Sequence, residues 1–237
     1  MSPLLSGLLL SFAVALSYVG FLKYLSSKQV LSSNILRKLL HIGIGPVYML
    51  AWNLYGTSQL HPNCRYVASI VPACVTLVFA VLGLGYIKDR DLVNTMSRSG
   101  NKEEILHGPL IYGIMHVILT WVFWETHPAG VIALCVLCGG DGTAELAGKK
   151  WGGLTGSIPW SKKKTWAGSI SFVVCSVVLA CVVLGFVPVA RWTGSLSDIK
   201  KLVVIAVGSS VVETLPFKEI DNATVTITAA VLSYLLF

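Results

Sequence analysis

Four stretches of this chain, residues 1–22, 66–87, 106–124 and 165–190, contain no Asp, Glu, Lys or Arg. Roughly 20 apolar residues suffice to cross the hydrocarbon core of a bilayer. Backbone placed there must satisfy its own hydrogen bonds, as a helix does within a single segment. Weaker candidates of the same kind are 39–60, 126–140, 202–215 and 222–237. The pattern predicts an all-α fold, a polytopic integral membrane bundle of about 7–8 transmembrane segments in one domain spanning 1–237. Composition agrees: 12% of residues are charged, against about 25% in an ordinary soluble domain, and mean hydropathy is +0.74.

The net charge of +7 could suggest nucleic acid, but its distribution points to membrane topology. If the eight segments alternate, Arg65, Arg191, Lys200 and Lys201 face one side, and the other fourteen of the 18 basic residues, Lys218 included, face the opposite one. Such a bias places the N-terminus outside and the lysine-rich loop on the cytosolic or equivalent side. The polar motifs described below fall on that same side, so they can line one site at a membrane surface. The first segment lacks a basic n-region and a small-x-small cleavage site, which favours a retained span over a secretory signal. No Arg- and Ser-rich transit segment is visible, which leaves the organelle open. The six cysteines lie in or beside apolar runs. Cys135 and Cys138 read as packing residues, because no second pair or nearby histidine completes a zinc or redox site.

One polar stretch organises the chain: GGDGTAELAGKKWGGLTGSIPWSKKKTWAGS, residues 139–169. It begins with a Gly-Asp-Gly turn. Asp141 and Glu145 are four apart, so a helix starting there stacks both carboxylates on one face, with Lys149 a further turn along and Lys150 beside it. After a glycine-rich break come Lys162, Lys163 and Lys164, then Thr165 and a second small-residue turn, Ala167-Gly168-Ser169. Carboxylates that hold a hard divalent cation, followed by lysines and amides that hold oxyanions, are what a metal-bound nucleoside triphosphate requires. The spacing does not match G-x-x-x-x-G-K-[ST], and no soluble nucleotide fold fits so short a loop. Asp141 follows an uncharged run, where an ionisable group is costly unless paired or functional.

Elsewhere the polar residues are sparser. Arg37, Lys38 and His41 enter the second segment together, either as a snorkelling basic cap or as phosphate ligands. The mixed-charge loop after 87 reads mainly as solvated, with Arg98 and Glu104 its exceptions. His116 reads as a satisfied bundle residue. Glu213 lies in an apolar run just ahead of Pro216, which packing does not explain. Glu219, Asp221 and Asn222 follow, and Asp221 either caps the last helix or serves the site.

The series RKLLHI, SRSGNKEEILHGPL, CGGDGTAELAGKKWGG, KKKTWAGS and ETLP with a following DN resembles the plant-type phytol kinase and farnesol kinase family. That family belongs to a wider group of CTP-dependent polyprenol kinases related to dolichol kinase. The likeness runs from residue 37 to 237, and 1–36 is a less characteristic N-terminal span and loop. Where the family usually has Ala-Asp, Gly-Arg-Arg and Asp-Asp-Asn, this chain has Ala144-Glu145, Gly148-Lys149-Lys150 and Ile220-Asp221-Asn222. Arg to Lys loses a bidentate fork, so the nucleotide contacts here are expected to be rearranged.

The resemblance implies transfer of the terminal phosphoryl group of CTP to the hydroxyl of an isoprenoid alcohol (phytol favoured, then geranylgeraniol or farnesol). In that reading Asp141 and Glu145 hold Mg2+ or Mn2+. The nucleotide is bound by Arg37, Lys38, His41, Arg98, Lys149, Lys150, Lys162, Lys163, Lys164, Thr165 and the amides near Gly168 and Ser169. Glu213 or Asp221 orients or deprotonates the alcohol. A link to tocopherol biosynthesis and a chloroplast membrane is implied for a plant or alga, and the endoplasmic reticulum or another internal membrane otherwise. The rival readings are a lipid cytidylyltransferase with the same equipment, and a non-enzymatic transporter whose carboxylates form an ion path.

Overall fold

A computed structural model describes residues 2–56, 62–216 and 220–237. Lys218, Glu219 and the end of the predicted second segment lie outside them. The described residues are helical apart from one small hairpin, as the apolar runs require. Five helices among them are long and apolar enough to cross a membrane. The chain divides into two compact units, Met1–Trp121 and Val122–Phe237.

In the first unit, α1 (Pro3–Ser27) starts on a Ser2 cap with Pro3 in its first turn, a combination suited to the unpaired amides of a helix start. α2 (Ser33–Leu50) is capped by Ser32 and runs into a 3-10 turn, Ala51–Tyr55. Leu22, Leu36 and Leu40 pack α1 against α2, and Tyr18 Oη donates to the Leu39 carbonyl at 2.7 Å. α3 (Cys64–Leu84) ends at Gly85 with φ of 84°, the left-handed stop that glycine accepts without strain. A short α4 (Arg90–Met96) and a 3-10 turn (Lys102–Leu106) lead into α5 (Gly108–Val122). His116 is buried on α5, with Nδ1 2.9 Å from the Tyr112 carbonyl, and is a satisfied bundle residue as expected.

The second unit is built on one long helix. α6 (Ala129–Cys135) continues through a π-helical turn, Val136–Asp141, into α7 (Gly142–Thr155). The expected Gly-Asp-Gly turn is therefore absent: the helix passes straight through it. Along this helix 78% of the most apolar window is buried, against 11–33% for the other four candidate spans. It is the core of its unit rather than a lipid-facing span. A hairpin, β1 (Ser157–Ile158) with β2 (Ser161–Thr165), follows the Gly156 stop. Then come α8 (Trp166–Phe186), α9 (Leu196–Glu213) and α10 (Asp221–Leu236). α8 packs on α6, α7 and α9, and α10 packs on α6 and α9.

Small residues let the central helix and α8 approach closely. A Cβ on Gly139 would meet the Cys175 carbonyl at 3.0 Å, and one on Gly140 would meet Phe172 at 3.0 Å. One on Gly152 would meet Thr165 Cγ2 at 2.7 Å, and one on Gly168 the Ala144 carbonyl at 3.0 Å. Gly140, Ala144, Gly148 and Gly152 thus form a four-residue stripe turned to α8.

Candidate active site

Asp141, Glu145 and Lys149 each follow a member of that stripe by one residue, about 100° further round the helix. The packing of α7 on α8 therefore fixes where the polar row points. Glu145 and Lys149 form an ion pair, Nζ to Oε1 2.6 Å, with the lysine 66% exposed and the glutamate 22%. The row predicted from the spacing is present, although its helix begins at Ala129, ahead of the expected turn at Gly140-Asp141-Gly142. Asp141 closes the π turn, and Thr143 Oγ1 donates to the Gly139 carbonyl at 2.6 Å within it. π turns inside α-helices occur frequently at functional sites.

The three lysines do not act as one cluster. In β2 successive side chains alternate between faces. Lys162 and Lys163 are exposed, while Lys164 is partly buried and forms an ion pair with Glu213. Glu213 is the last residue of α9 and only 5% exposed. The charges of Asp141 and Asp221 act on it as well as that of Lys164. Residues 141, 164, 213 and 221, remote in sequence, therefore belong to one electrostatic neighbourhood. Asp221 is the first residue of α10, where its Oδ1 accepts the Asn222 amide at 3.0 Å; the N-cap position is Ile220 and carries no side-chain cap, so Asp221 does not cap the helix as one of its two expected roles required.

Thr165 caps α8: its Oγ1 accepts the Gly168 amide at 3.2 Å, and the Ala167 amide donates to Thr155 Oγ1 at 3.0 Å. The predicted small-residue turn is thus the first turn of a helix, and these two amides already have partners. Ser169 Oγ is buried and meets no hydrogen-bond partner among the described residues. Lys150 is exposed and lies over the Trp151 ring at 4.9 Å. Arg37, Lys38, His41 and Arg98 belong to the first unit. There Lys38 is buried, His41 rests against Tyr112 with ring centroids 4.7 Å apart, and Arg98 is exposed.

Sequence reasoning passed over Trp160. Its Nε1 donates to Thr214 Oγ1 at 2.8 Å, tying the hairpin to the residue after Glu213. The available signal was a tryptophan two residues ahead of the first lysine of the run, where an interfacial aromatic also fits. Among the described residues no three His, Cys, Asp or Glu side chains converge into a self-sufficient metal site. A hard cation held by one or two carboxylates and by a substrate's phosphates needs no such triad. The donors present are carboxylate oxygens, and Glu145 already carries one cation, the Lys149 ammonium, so the set fits such an ion.

Together these features define an all-α integral membrane protein with a mixed carboxylate and lysine site beside its most buried helix. Comparison with curated proteins narrows the class. Over 236 residues the chain is 32% identical to a probable chloroplastic phytol kinase of Triticum aestivum, covering 97% of this chain and 76% of that protein. It is 32% identical over 227 residues to the chloroplastic farnesol kinase of Arabidopsis thaliana (94% and 72%). It is 31% identical over 235 residues to phytol kinase 1 of the same plant (96% and 73%). The chain belongs to the phytol kinase and farnesol kinase family. No protein-family model and no solved structure matches it.

Proposed function

We propose that this protein is a CTP-dependent kinase that phosphorylates the hydroxyl of an isoprenoid alcohol, phytol before geranylgeraniol or farnesol. Family membership supports the kinase class. The observation that carries the reading is the buried Glu213 paired with Lys164, on which the charges of Asp141 and Asp221 also act, together with the Glu145–Lys149 pair that follows Asp141 along the same helix. Phosphoryl transfer depends mainly on positioning and charge stabilisation, and acidic residues for a cation next to a basic clamp are its main requirement.

In this scheme Asp141 and Glu145 would hold Mg2+ or Mn2+, which when bound neutralises charge on the phosphates. Lys149, freed from Glu145, turns to the phosphate oxygens, and Lys150, Lys162 and Lys163 supply further positive charge. Ser169 offers a buried hydroxyl as donor. Glu213, held in place by Lys164, accepts the hydrogen of the substrate alcohol and orients its oxygen for in-line attack, with Asp221 as the alternative acceptor. The tail of the alcohol stays in the lipid while its hydroxyl meets the nucleotide at the interface. The chloroplastic relatives support a chloroplast membrane, and the excess of basic residues on one side supports a stromal or cytosolic site.

The test uses membranes containing this protein, Mg2+, and phytol, geranylgeraniol or farnesol in parallel, beside Asp141→Asn. Label from gamma-labelled CTP is expected in the lipid phase with the wild type and not with the variant, and relative rates rank the alcohols. Lipid labelled from alpha-labelled CTP instead would make the reaction nucleotidyl transfer. No lipid label from either nucleotide would overturn the proposed chemistry.

A further inference from the structure

The end of the second unit away from Glu213 carries a polar pair that the scheme above does not use. α10 marks the two ends: the charge of Asp221 in its first turn acts on Glu213, and the Tyr234 ring near its other end packs on His127 with centroids 5.1 Å apart. Asp221 and Tyr234 are roughly 20 Å apart along the helix. His127 is 5% exposed. Its Nδ1 accepts the Ala129 amide at 3.1 Å, which leaves the ring hydrogen of the neutral imidazole on Nε2. That donor is buried and meets no hydrogen-bond partner among the described residues. A buried donor left unpaired is costly, and native structures rarely keep one without a use.

Arg191 is the charged group beside it. The Ala190 amide donates to the Glu125 carbonyl at 2.9 Å, which holds the loop before α9 against the loop before α6, and the charge of Arg191 acts on His127. Each loop keeps a non-glycine residue at positive φ, 39° at Trp124 and 67° at Arg191. Such conformations persist where the surroundings over-determine them. The carboxylates of this end are committed elsewhere: Asp198 accepts the Thr193 amide and hydroxyl at 2.9 and 2.7 Å, and the buried Glu125 has a partner of its own. The exposed Arg191 guanidinium makes no hydrogen bond or ion pair with the described residues.

We propose that His127 and Arg191 form an oxyanion site that takes a phosphate group, borne by a lipid head group or free in solution. A guanidinium fork takes two oxygens and the imidazole N–H a third, so a phosphate satisfies the set where a carboxylate, with two oxygens, does not. Arg191 is among the basic residues assigned to the membrane side opposite the lysine-rich loop, and Trp192 and Tyr234 supply interfacial aromatics there. Access needs only a side-chain motion: Tyr234, which packs on the imidazole, is itself 60% exposed, and exposed side chains change rotamer within nanoseconds. The site needs no turnover and lies at the other end of α10 from Asp221, so it stands or falls apart from the kinase reading.

The test uses the full chain in maltoside micelles, whose head groups contain no phosphate, with phenylglyoxal labelling of arginine read by peptide mass spectrometry. Inorganic phosphate or phosphatidate, at about ten times its half-protecting concentration, should slow labelling of Arg191 roughly tenfold. Exposed Arg90 should react at an unchanged rate, and Asp141→Asn should behave like the wild type. His127→Asn keeps an acceptor for the Ala129 amide and loses the Nε2 donor. Its thermal midpoint should hold while the half-protecting concentration rises about tenfold, and His127→Gln, which restores a donor at that reach, should recover part of the loss. Protection by phosphatidate alone identifies a lipid head group as the source, and protection by inorganic phosphate alone a soluble ion; protection by both shows that the phosphate group is read whichever molecule carries it. Protection by neither, equal protection by acetate, or an unchanged half-protecting concentration in His127→Asn would each overturn the site.

Discussion

Replacing Lys164 with methionine isolates the interaction that joins the hairpin to α9. In the wild type Glu213 is 5% exposed and Lys164 34%, so the glutamate is the member that depends on its partner for charge compensation. Without the lysine, Glu213 stays buried while Asp141 and Asp221 act on it with the same sign of charge. Breaking a buried ion pair from one side costs about 3–5 kcal/mol, and the exposure of Lys164 places this case at the lower end, about 3 kcal/mol. For a chain of this size that lowers the thermal midpoint by about 6–12 °C. Glu213→Gln should cost only about 1 kcal/mol, because a lysine one-third exposed can turn to water. The double variant removes both charges and should also stay within about 1 kcal/mol of the wild type, giving a coupling near 3 kcal/mol. The assay is thermal unfolding of all four proteins in one detergent at neutral pH. Additive single effects, with Lys164→Met no worse than Glu213→Gln, would refute the claim that Lys164 holds a buried carboxylate in place.

Three further outcomes follow from neighbouring contacts. Gly139→Ala presses a methyl group on the Cys175 carbonyl. Overpacking of about 1–3 kcal/mol, offset by about 1 kcal/mol of helix propensity, should lower the thermal midpoint by a few degrees and reduce lipid labelling by displacing Asp141. Glu145→Gln removes an ion pair with an exposed lysine, worth about 0.3–0.5 kcal/mol, so the midpoint should hold while a Mg2+ titration of the transfer reaction shifts to higher concentration. Trp160→Phe keeps an aromatic ring, a smaller one, and loses the bond to Thr214. A loss of about 1 kcal/mol, read as a 2–4 °C fall, should accompany faster proteolysis at the hairpin.

What could be read from the sequence depended on how far apart the interacting residues lie. The row Asp141, Glu145, Lys149 was legible because a helix turns four-residue spacing into proximity, and the ion pair at 2.6 Å follows that rule. The apolar runs were legible for the same reason, since a spanning helix is satisfied within its own segment. The lysine run was misleading because its conformation is extended: a strand sends Lys163 to the face opposite Lys162 and Lys164, and of that pair it is Lys164, next to the start of α8, that meets Glu213, 49 residues away. Nothing in the spacing of those two residues encodes the pairing. It arises because α8 packs on both α7 and α9 and brings the hairpin beside the end of α9.

The Gly139-Gly140-Asp141 segment shows why composition alone misplaced a turn. Glycine pairs beside an acid usually punctuate the chain, and the penalty for glycine inside a helix, about 1 kcal/mol each, favours that reading. Here each glycine faces α8 at a distance no side chain could occupy, and close packing between helices offsets the penalty. The extra residue of the π turn has a further consequence. Inserting one position into a helical repeat rotates everything beyond it by about 100°. The register that buries 129–140 almost completely is therefore not the register that governs 142–155, and Glu145 and Lys149 reach solvent although they continue the same helix. Deleting Gly140 should restore a continuous α-helical register, turning Glu145 and Lys149 by that angle against α8. A variant that still folded, with Lys149 still reactive to amine labelling and lipid labelling retained, would show that the π turn does not set the direction of the site.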